Sequence, residues 1–89
     1  MFPKQLLCYK TDVCDDTQIH TAVKEIAAAF HSIDIAIHNA CLCTFDDEHN
    51  TDLDIYEQVF NVNYYGGLRL AKSVLPYMRE QKRGKIIFT

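Results

Sequence analysis

The residues of this chain whose types and spacing suit chemistry fall in two short runs: Ile33 to Cys41, IDIAIHNAC, and Phe60-Asn61-Val62-Asn63 about twenty residues later. The first is an apolar run that ends in a polar turn holding His38 and Asn39. The second puts an Asn on the inward face of a long helical pattern. Polar groups gathered at a strand's carboxyl end are what a nucleotide-binding α/β protein offers its ligand. Cys41-x-Cys43, together with His20, His31, His38 and His49, raises the question of zinc, but no C-x2-C or H-x3-H pair accompanies it. No metal ligand set is assigned. Asp46-Asp47-Glu48 reads as a solvated loop ahead of a helix, because nothing nearby supplies the further oxygens that a hard cation takes.

The elements that must position these residues alternate in type. Leu6 to Val13 (LLCYKTDV) runs from apolar to polar and fits a strand, with Asp12 near its carboxyl end. A helix is expected next. Asp15, Asp16 and Thr17 suit its start, and Ile19, Val23, Ile26, Ala27 and Phe30 recur at helical spacing to give one face for a sheet. Ile33 to Asn39 is an almost continuous apolar stretch broken by Asp34, as expected of a central parallel strand covered on both faces. A second helix starts near Thr51, where Thr51-x-x-Asp54 resembles a capping box. Its stripe of Leu53, Tyr56, Phe60, Asn63, Gly67, Ala71, Val74 or Leu75, and Met78 turns Asn63 and Gly67 inward. Gly66 and Gly67 weaken a helix by ~1 kcal/mol each relative to Ala, so they are expected to admit a neighbouring backbone closely. Pro76 lacks a donor and is expected to bend the last turns. Gly84 breaks the basic turn Arg79 to Lys85, and Ile86-Ile87-Phe88 begins a third strand. The expected order is β-α-β-α-β, in a single domain.

Composition bounds the rest. A chain of 89 residues buries only ~60–65% of its unfolded surface, so its core is small. Hydrophobic residues at 48% and charged residues at 24% are ordinary globular values and argue against disorder. A net charge of −3 without a basic run gives no footprint for nucleic acid, and no such partner is expected. No apolar run approaches the ~18 residues of a membrane span, and Met1-Phe2-Pro3-Lys4 does not lead into a signal peptide. No membrane partner and a cytoplasmic location are expected. The four cysteines are expected to be reduced.

Asp12-Val13 after a strand, the strand and turn IDIAIHNAC, the helical VFNVNYYGG, LPYM and the final GKIIFT together resemble, in order and spacing, the short-chain dehydrogenases/reductases from about Leu6 to Thr89. The resemblance implies an α/β fold: a partial Rossmann domain, a doubly wound parallel sheet of which residues 1–89 supply strands three to five. It implies a segment of an NAD(P)-dependent oxidoreductase that moves a hydride between a nicotinamide and a small-molecule carbonyl or secondary alcohol, with NAD or NADP as cofactor. By the same resemblance, Asn63 matches the family's active-site Asn, which kinks the helix and holds a relay water on its main-chain carbonyl. Asp12 would accept a hydrogen bond from the adenine amino group, with the Val13 backbone beside it. His38, Asn39 and Ala40 would occupy the NNAG turn, which passes the cofactor ribose and uses an Asn amide to tie neighbouring strands.

Two departures stand out: His38 replaces the first Asn of that turn, and Cys41 replaces its Gly. The family's glycine-rich phosphate loop precedes the matched region, and its Ser and Tyr-x-x-x-Lys follow it. The 89 residues taken alone are therefore expected to bind NAD(P)H poorly and to be inactive, and exposed strand edges and helix faces are expected to drive association. Family dimers and tetramers imply a homo-oligomer through the 53–78 helix. The alternative is a catalytically inactive, truncated Rossmann fragment that acts as an interaction module, for instance by docking its Phe60 to Met78 helix.

Overall fold

Residues 6–44, 47 and 49–89 are described by the computed structural model. The expectations for Met1-Phe2-Pro3-Lys4, Asp46 and Glu48 lie outside the described residues. The elements are α1 (Asp16–Phe30), β1 (Ile35–His38), α2 (Leu53–Phe60), a π-helical turn (Asn61–Tyr65), α3 (Gly66–Gln81) and β2 (Lys85–Phe88). β1 and β2 pair in parallel, with Ile35 opposite Lys85 and His38 opposite Phe88. The long helical segment between them is the crossover that a parallel pair requires. The fold is thus α/β with a two-stranded parallel sheet.

Local sequence explains where each element begins and ends. Asp15 caps α1 by accepting the Gln18 N–H at 3.1 Å, and the helix stops at His31, whose left-handed φ of +67° returns its N–H to the Ala27 carbonyl. Ile19 and Val23 of α1 meet Ile33 and Ala36 before and within β1, and Val74 and Met78 of α3, to form the core. Phe30, at the chain reversal, stays partly exposed. The end of α3 is tied to the approach of β1 by the Gln81 amide. Its Oε1 accepts the Ile33 N–H and its Nε2 donates to the Ile33 carbonyl, both at 2.9 Å. α3 runs through Pro76 without interruption.

Several expectations are corrected by this structure. Leu6 to Val13 is not a strand, because no described segment hydrogen-bonds alongside it and an extended chain without a ladder partner has no sheet to join. Its end is organised as a turn in which the Cys14 N–H donates to Asp12 Oδ1 at 2.9 Å. The order among the described residues is therefore α-β-α-β. β1 is covered on one face only: Ala36 and His38 are buried, while Ile35 and Ile37 are 56% and 55% exposed. The Thr51 capping box does not form. The turn at Asp47 claims the Thr51 hydroxyl, which donates to the Asp47 carbonyl at 2.8 Å, and Asp52 precedes the helix without a side-chain cap.

The stripe of the second helix also divides in two. Gly67, Val74 and Met78 are buried, whereas Leu53 and Phe60 are 79% and 60% exposed. The π turn accounts for this, because one extra residue in a turn rotates everything before it by ~100° relative to everything after. Gly66 and Gly67 do permit a close approach, but to side chains rather than to a backbone. A Cβ on Gly66 would lie 3.1 Å from Val13 Cγ2, and one on Gly67 would lie 2.9 Å from His38 Cδ2 and overlap the Phe88 ring.

Candidate functional site

At the carboxyl ends of β1 and β2 the π turn and the HNA turn meet. Within the π turn the Gly66 N–H reaches back five residues to the Asn61 carbonyl. Such a turn is wider than an α-turn and sends carbonyls to partners outside the helix. The Asn63 carbonyl lies 3.1 Å from His38 Nε2. Because a carbonyl only accepts, Nε2 carries the proton. His38 is 4% exposed, its ring sits edge-on to Phe88 at 5.5 Å, and only glycine at Gly66 and Gly67 leaves room for it.

The Asn63 side chain makes a second, separate connection. Its Oδ1 accepts the Leu42 N–H at 2.8 Å, and its Nδ2 donates to the Leu42 carbonyl at 2.9 Å. This is the pairing that one strand residue offers another, and it pins the segment after the HNA turn to the helix. Asn39 Oδ1 accepts the Thr89 hydroxyl at 2.8 Å, and the Thr89 N–H donates to the His38 carbonyl at 3.1 Å. The strand ends are stitched together just where the polar groups collect. Ala40 is exposed beyond them.

Asp12 and Val13 come to this region through a residue that the sequence reading did not single out. Arg69 Nη1 donates to the Val13 carbonyl at 2.9 Å and to the Asn61 carbonyl at 3.2 Å. Its Nη2 donates to Asn61 Oδ1, and its Nε pairs with Asp16 at 3.2 Å. One guanidinium thus ties the Asp12–Val13 loop, α1 and the π turn together. The available signal was spacing, since Arg69 follows Asn61 by two helical turns. Asp12 itself is exposed, and its Oδ1 accepts the Cys14 N–H. Burial, and then the Asp12 carboxylate, raise the Cys14 thiol above its ordinary value. Arg69→Leu is expected to lower stability by about 2 kcal/mol, because two part-buried carbonyls lose a charged donor. Urea unfolding measures it, and an unchanged midpoint would show that the guanidinium does not hold the loop.

Among the described residues no three His, Cys, Asp or Glu side chains gather as a metal site. The family model for short chain dehydrogenase matches residues 3–89. The chain belongs to this family. Dehydrogenase/reductase SDR family member 7 of Mus musculus is 34% identical over 84 residues, which are 94% of this chain and 25% of that protein. Family member 7B of Rattus norvegicus is 37% identical over 76 residues, 85% of this chain and 23% of that protein. The chain thus spans about a quarter of the length of these curated short-chain dehydrogenase/reductase relatives.

Solved structures agree on the Rossmann architecture. A short-chain dehydrogenase from Streptomyces avermitilis superposes with a TM-score of 0.80 at 24% identity, over 88% of this chain and 29% of that one. ElxO, solved with NADP bound, superposes at 0.83 with 25% identity, over 88% of this chain and 32% of that one. The short-chain dehydrogenase fold therefore places the HNA turn and the π turn at the carboxyl edge of its parallel strands, the ligand side of such sheets.

Proposed function

We propose that this chain is the part of an NAD(P)-dependent short-chain oxidoreductase that lines the cofactor and completes the proton relay, in a protein that interconverts a small-molecule carbonyl and its secondary alcohol. The observation that carries this reading is the π turn, which aims the Asn63 main-chain carbonyl at the strand ends while the Asn63 amide locks Leu42. A carbonyl has two lone pairs. His38 uses one, and the other is available to hold a relay water. The Asp12 carboxylate suits an adenine amino group, with the Val13 backbone, fixed by Arg69, alongside it. The His38-Asn39-Ala40 turn is rigid enough to border a ribose, since Asn39 is stitched to Thr89. A bound nicotinamide would supply the hydride, and the part this chain gives to the proton relay is the Asn63 carbonyl that holds its water.

In this reading the protein is cytoplasmic, has no nucleic-acid or membrane partner, and pairs with its own copies through the 53–78 helix. No helix among the described residues is long and apolar enough to cross a membrane. Leu53 and Phe60, on the outward stripe of α2, border an open groove of about 580 Å³ with Tyr56 and Tyr65, the kind of surface a second helix would fill. The same groove favours the second reading, an inactive fragment that only docks.

One experiment separates them. The protein carrying this chain is mixed with NADH or NADPH and a series of aldehydes and ketones. Carbonyl-dependent loss of dihydronicotinamide absorbance is expected. Tight self-association with neither nucleotide binding nor turnover would instead establish the docking role.

A further inference from the structure

Cys41 and Cys43 flank the one residue that the Asn63 side chain grips by both backbone groups. Their sulfurs lie 3.1 Å apart, both residues are exposed and neither is in a disulfide. Beside them a groove of about 350 Å³ is lined by Leu42, Cys43, Thr44, Asn50 and Ile55 among others, so a small thiol reagent has access to Cys43. We propose that this pair is a dithiol site for low-molecular-weight disulfides of the glutathione class, and that its oxidation is opposed by the Asn63 clamp on Leu42.

The chemistry balances without any other reactant. The Cys43 thiolate attacks oxidised glutathione, forming a mixed disulfide and releasing one glutathione. Cys41 then attacks the Cys43 sulfur, forming the Cys41–Cys43 disulfide, giving up its proton and releasing the second glutathione. Two protein thiols are oxidised and one glutathione disulfide is reduced. The hydrogen bond to Cys43, and then desolvation, raise the Cys41 thiol above its usual value, and Cys41 must lose that proton before it attacks, because the thiolate is the nucleophile.

Geometry supplies the opposition. The two sulfurs stand 3.1 Å apart, about 1 Å farther than the ~2.05 Å of a disulfide bond. Closing the ring must tighten the backbone at Leu42. That residue's N–H and C=O are held by Asn63, so closure strains or breaks this pairing. The site stands on this geometry alone and does not depend on hydride transfer.

The test equilibrates the protein carrying this chain against graded ratios of oxidised to reduced glutathione, blocks free thiols with iodoacetamide, and weighs the tryptic peptide covering residues 25–69. That peptide is bounded by Lys24 and Arg69 and contains no other cysteine. The expected product is lighter by two hydrogens, unalkylated, and restored by dithiothreitol. A peptide that keeps two alkyl groups at every ratio, or that carries glutathione or a second chain on each sulfur, overturns the proposal. Asn63→Ala is expected to reach half-oxidation at a ratio about tenfold lower, as for the loss of two ordinary hydrogen bonds. If that variant does not fold, the isosteric Asn63→Asp, which loses the Nδ2 donor, is expected to shift in the same direction. An unchanged ratio in a folded variant removes the clamp from the proposal.

Discussion

Met78→Ala is expected to lower stability by about 2–5 kcal/mol, from a total that 89 residues support at about 4–13 kcal/mol. Met78 is 6% exposed and is one of six buried core residues among the described residues. It also stands against Gly84, whose φ is +156° and whose Cβ, if present, would lie 2.5 Å from Met78 Cγ and Sδ. Gly84→Ala is therefore expected to incur two penalties at once: about 1–3 kcal/mol for the backbone conformation and about 1–3 kcal/mol for crowding the thioether. With Met78 already truncated, the overlap with Cγ and Sδ is gone and only a 3.0 Å contact with the residue-78 Cβ is left beside the backbone penalty. Urea unfolding of both single variants and the double variant should show a coupling of about 1–3 kcal/mol, the double being more stable than the sum predicts. Strict additivity would mean that Met78 is not what excludes a side chain at Gly84.

Asn63→Ala, made in the whole protein, is expected to reduce kcat about 10²-fold, the scale of a misplacement near 1 Å at a reacting centre. The carbonyl proposed to hold the relay water belongs to the backbone and survives the substitution. What is lost is the pair of bonds to Leu42 that fixes where the backbone lies. KM for the nucleotide should change little, because the Arg69 bond to the Val13 carbonyl does not involve the Asn63 side chain. The pH profile of kcat should shift as the relay loosens, which mere loss of folded protein would not produce. A variant with unchanged kcat and an unchanged profile would sink the role given to Asn63.

How much of this was legible in the sequence depended on whether the cause was local. The α1 helix was, because Asp15 and the Ile19–Val23 spacing act within a few residues, and so was the β1–β2 pair, where apolar runs leave few alternatives. Leu6 to Val13 was misread because its pattern speaks to side chains, whereas a strand is defined by a neighbour's backbone. The outward rotation of Leu53 and Phe60 was hidden for a related reason. Counting by threes and fours cannot register a turn that takes one residue more. The contact between His38 and Asn63, 25 residues apart, joins a ring to a main-chain carbonyl, and no residue type announces that partner. Arg69 escaped attention likewise, since three of its acceptors belong to Asn61 and Val13, neither of which is acidic.

The wide turn at Asn61–Tyr65 has a further consequence for how this lineage changes with time. Deleting Val62 alone would let the flanking segments close into one regular helix and leave Leu53 and Phe60 facing outward, because losing one residue offsets the ~100° by which the wide turn had rotated them. Such a deletion is a single step, and it gives the helix regular hydrogen bonding throughout. Descendants released from the chemistry should therefore accumulate it, while those still using the Asn63 carbonyl should not. The length of this one helix, compared among close relatives, becomes a record of which genes remain under selection for activity.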